Sequence, residues 1–270
     1  MRALANINVF KLDHNQKWTT TPLATVIFTK LKNYASSWLD SYSLLSTLTD
    51  VVKTGRNHFE EHYGLPCYEW YKSKPKQLQT FNNAMSEIGN VIGSKLTEIY
   101  DFSQFKYIVD VGGGRGVFMS EMLKSAPNVT GIVFDQPHVV QAAQDNNEEI
   151  KEVRDRITFI GGNFMDNVPS GGDCYTIRNV LNDYSDNIAL QILKNIANEM
   201  NGKSKLLIIE SKPNTRFGSL FDLLLLSNLN GDLRGEDGFQ KLLPKAGLQI
   251  NKCIKSVGDN MDIIEVFKVE

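Results

Sequence analysis

The arrangement of apolar and polar positions changes character near residue 105. Upstream, "WLDSYSLLSTLTDVVKTG" and "PKQLQTFNNAMSEIGNVIGSKLTEIY" repeat apolar side chains at helical spacing and contain no strand-like run, so this half reads as helices. Downstream, β-rich runs alternate with helical stretches: "YIVDV", "VFMSEMLKSA", "GIVFD", "PHVVQAAQ", "ITFIGG", "CYTIRNV", a helix after Ser185, and "KLLIIE". Such alternation predicts βαβ units, an α/β fold whose parallel sheet carries helices on both faces. Near the end, "LQINKCIKSV" and "DIIEVFKVE" flank the turn sequence "GDN" and predict a hairpin with an antiparallel edge. Near the start, "VFKLDHNQKWTTTPLATVI" predicts two short strands around "DHNQ", then a helix from about Pro22. Internal repeats and low-complexity segments are not found.

Composition narrows the class. At 270 residues, one large core with a smaller unit attached is expected. Hydrophobic residues at 41% and charged residues at 22% are ordinary for a soluble globular chain. A formal charge of -2 gives no field that would gather phosphate backbones, so the expected partner is a small molecule and not nucleic acid. Cys67, Cys174 and Cys253 are odd in number and widely spaced, which suggests neither a disulfide framework nor a metal site. They fit small buried hydrophobes in a reducing cytoplasm. "MRALANINVF" is too weak for a signal peptide, and "LFDLLLLSNL" is broken by Asp222, so no membrane association is expected.

Candidate chemistry begins with "YIVDVGGGRGVFMSEML". A strand ends in Asp110, glycines turn the chain, and a helix starts at about Val117. Glycines let backbone approach a ligand, and the helix start presents free N–H groups. GGGRG departs from the dinucleotide pattern GxGxxG, and Asp110 would sit badly beside a pyrophosphate, so a cationic ligand suits the loop better. One βα unit later, "GIVFDQPHVV" puts Asp135 at a strand's C-terminal end, where an acid can accept both ribose hydroxyls or simply cap the helix opened by Pro137. A third strand ends in "GGNF", where Asn163 can hydrogen-bond an adenine amine and Phe164 can cover the ring; a plain loop with a core aromatic is the alternative. The three signals describe one adenosine crevice at the ends of adjacent strands.

"DVGGGRG", "GIVFDQPHVV", "VPSGGDCYTIRNVLNDYSDNIALQIL" and "LLIIES" together resemble the S-adenosylmethionine-dependent O-methyltransferases of the caffeic acid and hydroxyindole type. The similarity extends back through "VKTGRNHFEEHYGLPCYEWYKSKPKQLQTFNNAM" to "RALANINVFKLDHNQKWTTTPLA", which resembles the latter part of that family's winged-helix unit. It implies a Rossmann-like class I methyltransferase sheet over residues 96–270, preceded over residues 1–95 by a partial winged-helix and helical, dimerisation-like region. Dimerising helices that the family carries before "RALA" have no counterpart in the sequence, so either a shortened front or a start assigned late is expected, and a homodimer is left open.

For the site, the resemblance implies S-adenosyl-L-methionine held by Asp110, Gly112, Gly113, Gly114, Gly116, Asp135, Gln136, Asn163, Phe164 and Arg178. Arg178 could equally be a strand-end cation in solvent. Met85 and Phe81 resemble substrate-lining positions, with core packing the alternative for a Met on an apolar helix face. The family's histidine base is replaced by Asn182 in "NDY", its first supporting acid corresponds to Glu210, and its second falls on Leu233. An amide has no useful basicity, so Asn182 can only orient. Positioned acid–base help is worth about 10²–10⁴ in rate, whereas proximity and alignment supply roughly 7–11 kcal/mol alone. Glu210 is one substitute base; Asp183 lies close by, or caps a helix; His14, His58, His62 and His138 do not match the family position. Three readings follow: a methyltransferase acting on a small aromatic or polyketide-like metabolite, an enzyme of the same fold doing hydroxylation, decarboxylation or pericyclic chemistry, or a catalytically silent partner subunit.

Overall fold

The computed structural model describes residues 1–144, 147–257 and 260–269. The chain opens with the two short strands expected, β1 (Phe10–Leu12) and β2 (Trp18–Thr20), paired antiparallel, and with a helix Pro22–Thr29. Thr21 starts that helix by accepting the Ala24 amide, and Pro22 supplies a preset φ at its first turn. Helical pieces follow up to the long helix Pro75–Ile99. That helix is continuous through residue 95, so the division expected there cuts an unbroken rod. Near its C-terminal end Gly93 meets Glu121 of the next helix so closely that a Cβ would stand 2.9 Å from the Glu121 side chain.

The remaining strands are β3 (Tyr107–Val111), β4 (Thr130–Asp135), β5 (Ile157–Gly161), β6 (Cys174–Arg178), β7 (Lys205–Ser211), β8 (Leu248–Val257) and β9 (Met261–Lys268). They form one seven-stranded sheet in the order β5-β4-β3-β6-β7-β9-β8, parallel from β5 to β7 and antiparallel at β9 and β8. The expected terminal hairpin is therefore present, but its second strand lies inside the sheet and its first forms the edge. Of the turn "GDN" between them, Gly258 and Asp259 lie outside the described residues.

Both faces of the sheet are buried by period-2 alternation. Val109, Val111, Tyr175, Ile177, Leu206 and Ile208 pack with Ile192, Leu193 and Ile196 of the helix Asp186–Glu199. On the other face Ile108, Val133, Leu207 and Ile209 pack with Phe118, Met119, Met122 and Leu123 of the helix Val117–Ser125. Each such side chain contributes about 1.5–3 kcal/mol on full burial. A third cluster, with Leu44, Phe59, Trp70 and Tyr71 at its centre, gathers the upstream helices and brings Phe81 and Leu229 against them.

This topology fixes where a ligand can enter. From β3 the chain runs outward to β4 and β5, then returns to β6 on the other side of β3. The carboxyl ends of β3 and β6 thus diverge at a switch point, where open α/β sheets form their binding crevice.

Candidate active site

A cavity of about 560 Å³ opens at this point. Gly112, Gly113, Gly114, Asp135, Gln136, Phe164 and Arg178 all line it, as do Phe81, Met85 and Asp183. The glycine loop is shaped by what lies beneath: a Cβ on Gly113 would stand 2.6 Å from Asp110 Oδ2, whereas one on Gly114, at φ +58°, would meet nothing within 4 Å. The loop is pressed onto the strand end at one residue and open at the next.

Asp135 fastens the loop. Its Oδ2 accepts the Gly114 amide at 2.8 Å and its Oδ1 accepts the Gln136 amide at 2.7 Å. Burial pushes the Asp135 carboxyl up; these two amides and His138 pull it down. Both oxygens thus engage backbone amides outside the helix Pro137–Gln144, so the carboxylate bridges the loop without capping that helix, and it keeps lone pairs for a further donor. Arg178 is not a solvated strand-end cation. It lies over the Phe118 ring, 5.5 Å from the centroid, and burial lowers its pKa against the opposing pull of Asp110 and Glu210.

Five expected site residues do not line the cavity. Asp110 is buried below the loop, accepts Thr176 Oγ1 at 2.6 Å, and is pushed up to about 6 by burial. Gly116, at φ +78°, shapes the entry to the helix Val117–Ser125. Asn163 spends its carboxamide within its own turn, Nδ2 donating to Asp166 at 3.1 Å and Oδ1 accepting Met165 N at 3.0 Å. One N–H and one lone pair of the exposed carboxamide are left for the adenine role expected of it. Asn182 is 1% exposed and turned inward. Glu210 shares the sheet face of Leu206 and Ile208, so the strand pleat delivers Ser211 to the cavity in its place. Its Oε1 accepts the amides of Leu181 (3.1 Å) and Asn182 (3.4 Å), and burial, with the Asp183 carboxylate adding to it, pushes it up to about 8.

Asp183 is the acid that the cavity receives. It does not cap a helix, since Ser185 occupies the N-cap of Asp186–Glu199; instead its Oδ2 accepts the Tyr68 hydroxyl. Burial pushes Asp183 up to about 7, against the Tyr68 donation, which lowers it. Where the second family acid was sought, Leu233 is buried, and the next residue does the local work. Arg234 donates to Leu181 O (2.7 Å), Tyr184 O (2.6 Å) and Asp186 Oδ1 (2.8 Å), pinning the turn that carries Asp183.

Other lining residues escaped sequence reading. Asn179 has φ +49°, a strained conformation for a non-glycine, and its buried Oδ1 has no partner among the described residues; Arg178 Nη1 is in the same condition. One is an acceptor and the other a cationic donor at the same rim, which fits an amino acid end carrying ammonium and carboxylate. With the open glycine loop and the Asp135 carboxylate, these residues fit a methionine-bearing nucleoside. The far wall is aromatic, with Trp38 edge-on to Tyr34 (6.1 Å) and Phe217 (6.3 Å), and Phe81 against Tyr71 at 4.8 Å. These rings come from separated helices, so local periodicity could not gather them.

A switch-point crevice of this form, with a glycine loop and Asp135 at the ends of adjacent parallel strands, is the arrangement of the class I methyltransferase fold. The sequence profile of the O-methyltransferase domain family matches residues 45–249, and the chain belongs to that family, whose cofactor is S-adenosyl-L-methionine. It is 30% identical to the phenazine O-methyltransferase PhzM of Lysobacter antibioticus, over 98% of this chain and 80% of that one. It is also 30% identical to the mitomycin biosynthesis 6-O-methyltransferase of Streptomyces lavendulae, over 98% of this chain and 79% of that one. The fold superposes on the structure of the mitomycin 7-O-methyltransferase MmcR with a TM-score of 0.87 at 28% identity, covering 99% of this chain and 82% of that one. Among the described residues no helix is long and apolar enough to cross a membrane.

Proposed function

We propose that this enzyme methylates a hydroxyl group on a small planar aromatic metabolite. The observation that carries the reading is the continuity of one cavity: residues suited to the nucleoside and the rings of Trp38, Phe81 and Phe217 line the same space. Relatives named for phenazine and mitomycin chemistry support an acceptor of this kind. When bound, the cofactor supplies an electrophilic methyl group on a sulfonium. Gly112, Gly113 and Gly114 would give it backbone contact, Asp135 would take the ribose hydroxyls, Arg178 and Asn179 would take the amino acid end, and Phe164 would cover the adenine. Phe81 and Met85 press the acceptor toward that end. The aromatic wall excludes water and holds the acceptor oxygen in line, the contribution that alignment makes to transfer.

Exposed apolar side chains at Leu4, Ile7, Leu23, Val26 and Phe28 support a homodimer built through the first segment, and the free thiols of Cys67, Cys174 and Cys253 support work in the cytoplasm. The test of function is incubation of the purified chain with methyl-labelled cofactor and a panel of hydroxyaromatics and aromatic carboxylic acids. Label is expected in a phenolic ether. Saturable cofactor binding with no label transferred to any phenol would overturn the reading.

A further inference from the structure

We propose that the proton acceptor of this enzyme is the Asp183 carboxylate working with the Tyr68 phenol, a pair assembled from two distant parts of the chain in place of a side chain at position 182. The inference rests on the methyl-transfer reading above and assigns its missing base.

Geometry separates Asp183 from its competitors. Tyr68, on the helix Cys67–Ser73, donates to Asp183 Oδ2 across 115 positions of sequence, and both residues line the cavity. Asp183 Oδ1 has no hydrogen-bond partner among the described residues, so one carboxylate oxygen is held and the other is available. Asn182 and Glu210 do not reach the cavity, and Glu210 has one oxygen committed to two backbone amides. His138 lines the cavity beside the ribose acid Asp135, at the cofactor end.

The groups around Asp183 set its behaviour. Tyr68 and Cys67 face it from their helix, Tyr184 from its own turn and Glu210 from the end of β7. Burial holds the Tyr68 phenol well above its ordinary value, with the Asp183 charge adding to the effect, so Tyr68 remains a donor throughout. The carboxyl itself, pushed up to about 7, is matched to accepting a proton at neutral pH. Tyr184 feels both Asp183 and Asp135, which sets the pair beside the cofactor end of the cavity.

In the step, the acceptor O–H bond breaks and its proton passes to Asp183 Oδ1. The acceptor oxygen takes the methyl group, its O–C bond forming as the sulfonium S–C bond breaks. The positive charge of the sulfonium is thereby carried off as the carboxyl proton, which is lost to solvent after the product leaves.

Two measurements on the full chain test the pair. The first is the infrared carboxyl difference between wild type and Asp183→Asn, titrated without cofactor between about pH 5 and pH 9, the range that brackets a raised carboxyl. A single band converting to carboxylate near neutrality is expected, moving to higher pH in Tyr68→Phe, which loses the donor. The second is transfer to whichever phenol of the labelled panel accepts best. Asp183→Asn is expected to lower it about 10²- to 10⁴-fold with cofactor Kd within about twofold of wild type. Tyr68→Phe is expected to move the ascending limb of the pH profile upward, and Asp183→Glu to restore part of the rate.

The assignment is overturned by transfer in Asp183→Asn within about threefold of wild type, or by an infrared difference with no titrating band in that range. Failure of the wild-type chain to label any phenol would strike the methyl-transfer reading instead, and the infrared band would still decide whether the pair titrates.

Discussion

Asn182 and Glu210 meet through one bond only: the Asn182 amide donates to Glu210 Oε1 at 3.4 Å, while both atoms of the Asn182 carboxamide and Glu210 Oε2 have no partner among the described residues. Three polar atoms are thus buried together and left unmatched, beside an acid that burial keeps protonated.

This pocket of unmet polarity is a stability defect. An unsatisfied buried polar group costs about 1–3 kcal/mol. Asn182→Leu, of similar size, is expected to raise the melting temperature by several degrees in calorimetry, at about 2–4 °C per kcal/mol for a chain of this order. A lowered melting temperature would show that the carboxamide is matched after all.

Glu210 also makes stability depend on pH. The folded chain keeps its proton up to about pH 8, whereas the unfolded chain releases it near the ordinary carboxyl value of 4.5. Between those values the folded state binds more protons, so stability falls as pH rises. Glu210→Gln keeps an oxygen for the two amides and removes the titration. Melting temperature plotted from acid to alkaline buffer should decline less steeply in the variant, and parallel curves would contradict the assignment.

Asp135→Asn should weaken the cofactor without disturbing the acceptor. The amide oxygen can still accept from Gly114, but a charged partner for the ribose is lost. Hydrogen bonds to charged groups are worth about 1.5–3 kcal/mol, so calorimetric Kd for S-adenosylmethionine should rise about 10- to 150-fold. An unchanged Kd would remove Asp135 from the cofactor site.

Phe81→Ala should act at the other end. Its ring packs with Tyr71 at 4.8 Å on the aromatic wall, and such pairs are worth about 0.5–1.5 kcal/mol beyond burial. Acceptor KM is expected to rise about 2- to 10-fold with cofactor Kd unchanged. Equal weakening of both ligands would instead mean that the long helix had shifted.

The parts of this site that could be read in the sequence are those whose signal is local. Asp110, the glycines and Asp135 sit in short strand-to-helix transitions, and the strands they end are adjacent in the sheet, as expected. Alternation along β7 gave no direction for Glu210, because Leu206 and Ile208 on one face and Leu207 and Ile209 on the other are all apolar and buried. Family position was the stronger lure, and it assigned Glu210 and Asn182 to a site that neither reaches. Asn163 closes its own turn, a role that looks the same in sequence as facing a ligand. The Tyr68–Asp183 bond was beyond local reading, since it depends on how the upstream helices seat on the sheet. The rod through residue 95 was likewise not marked by the pattern, which changes near residue 105, and the division at 95 came from the resemblance.

β9 is synthesised after β7 and β8, yet it lies between them, with Ile263, Ile264 and Val266 buried. A nascent chain on the ribosome therefore carries β8 with no neighbour to zip onto, and β7 with a bare flank of N–H and C=O groups, until residues 261–268 emerge. Open flanks of that sort are templates for edge-to-edge aggregation. Premature termination before β9 would therefore do more than shorten the protein: it would leave the β7 flank of the sheet unsealed.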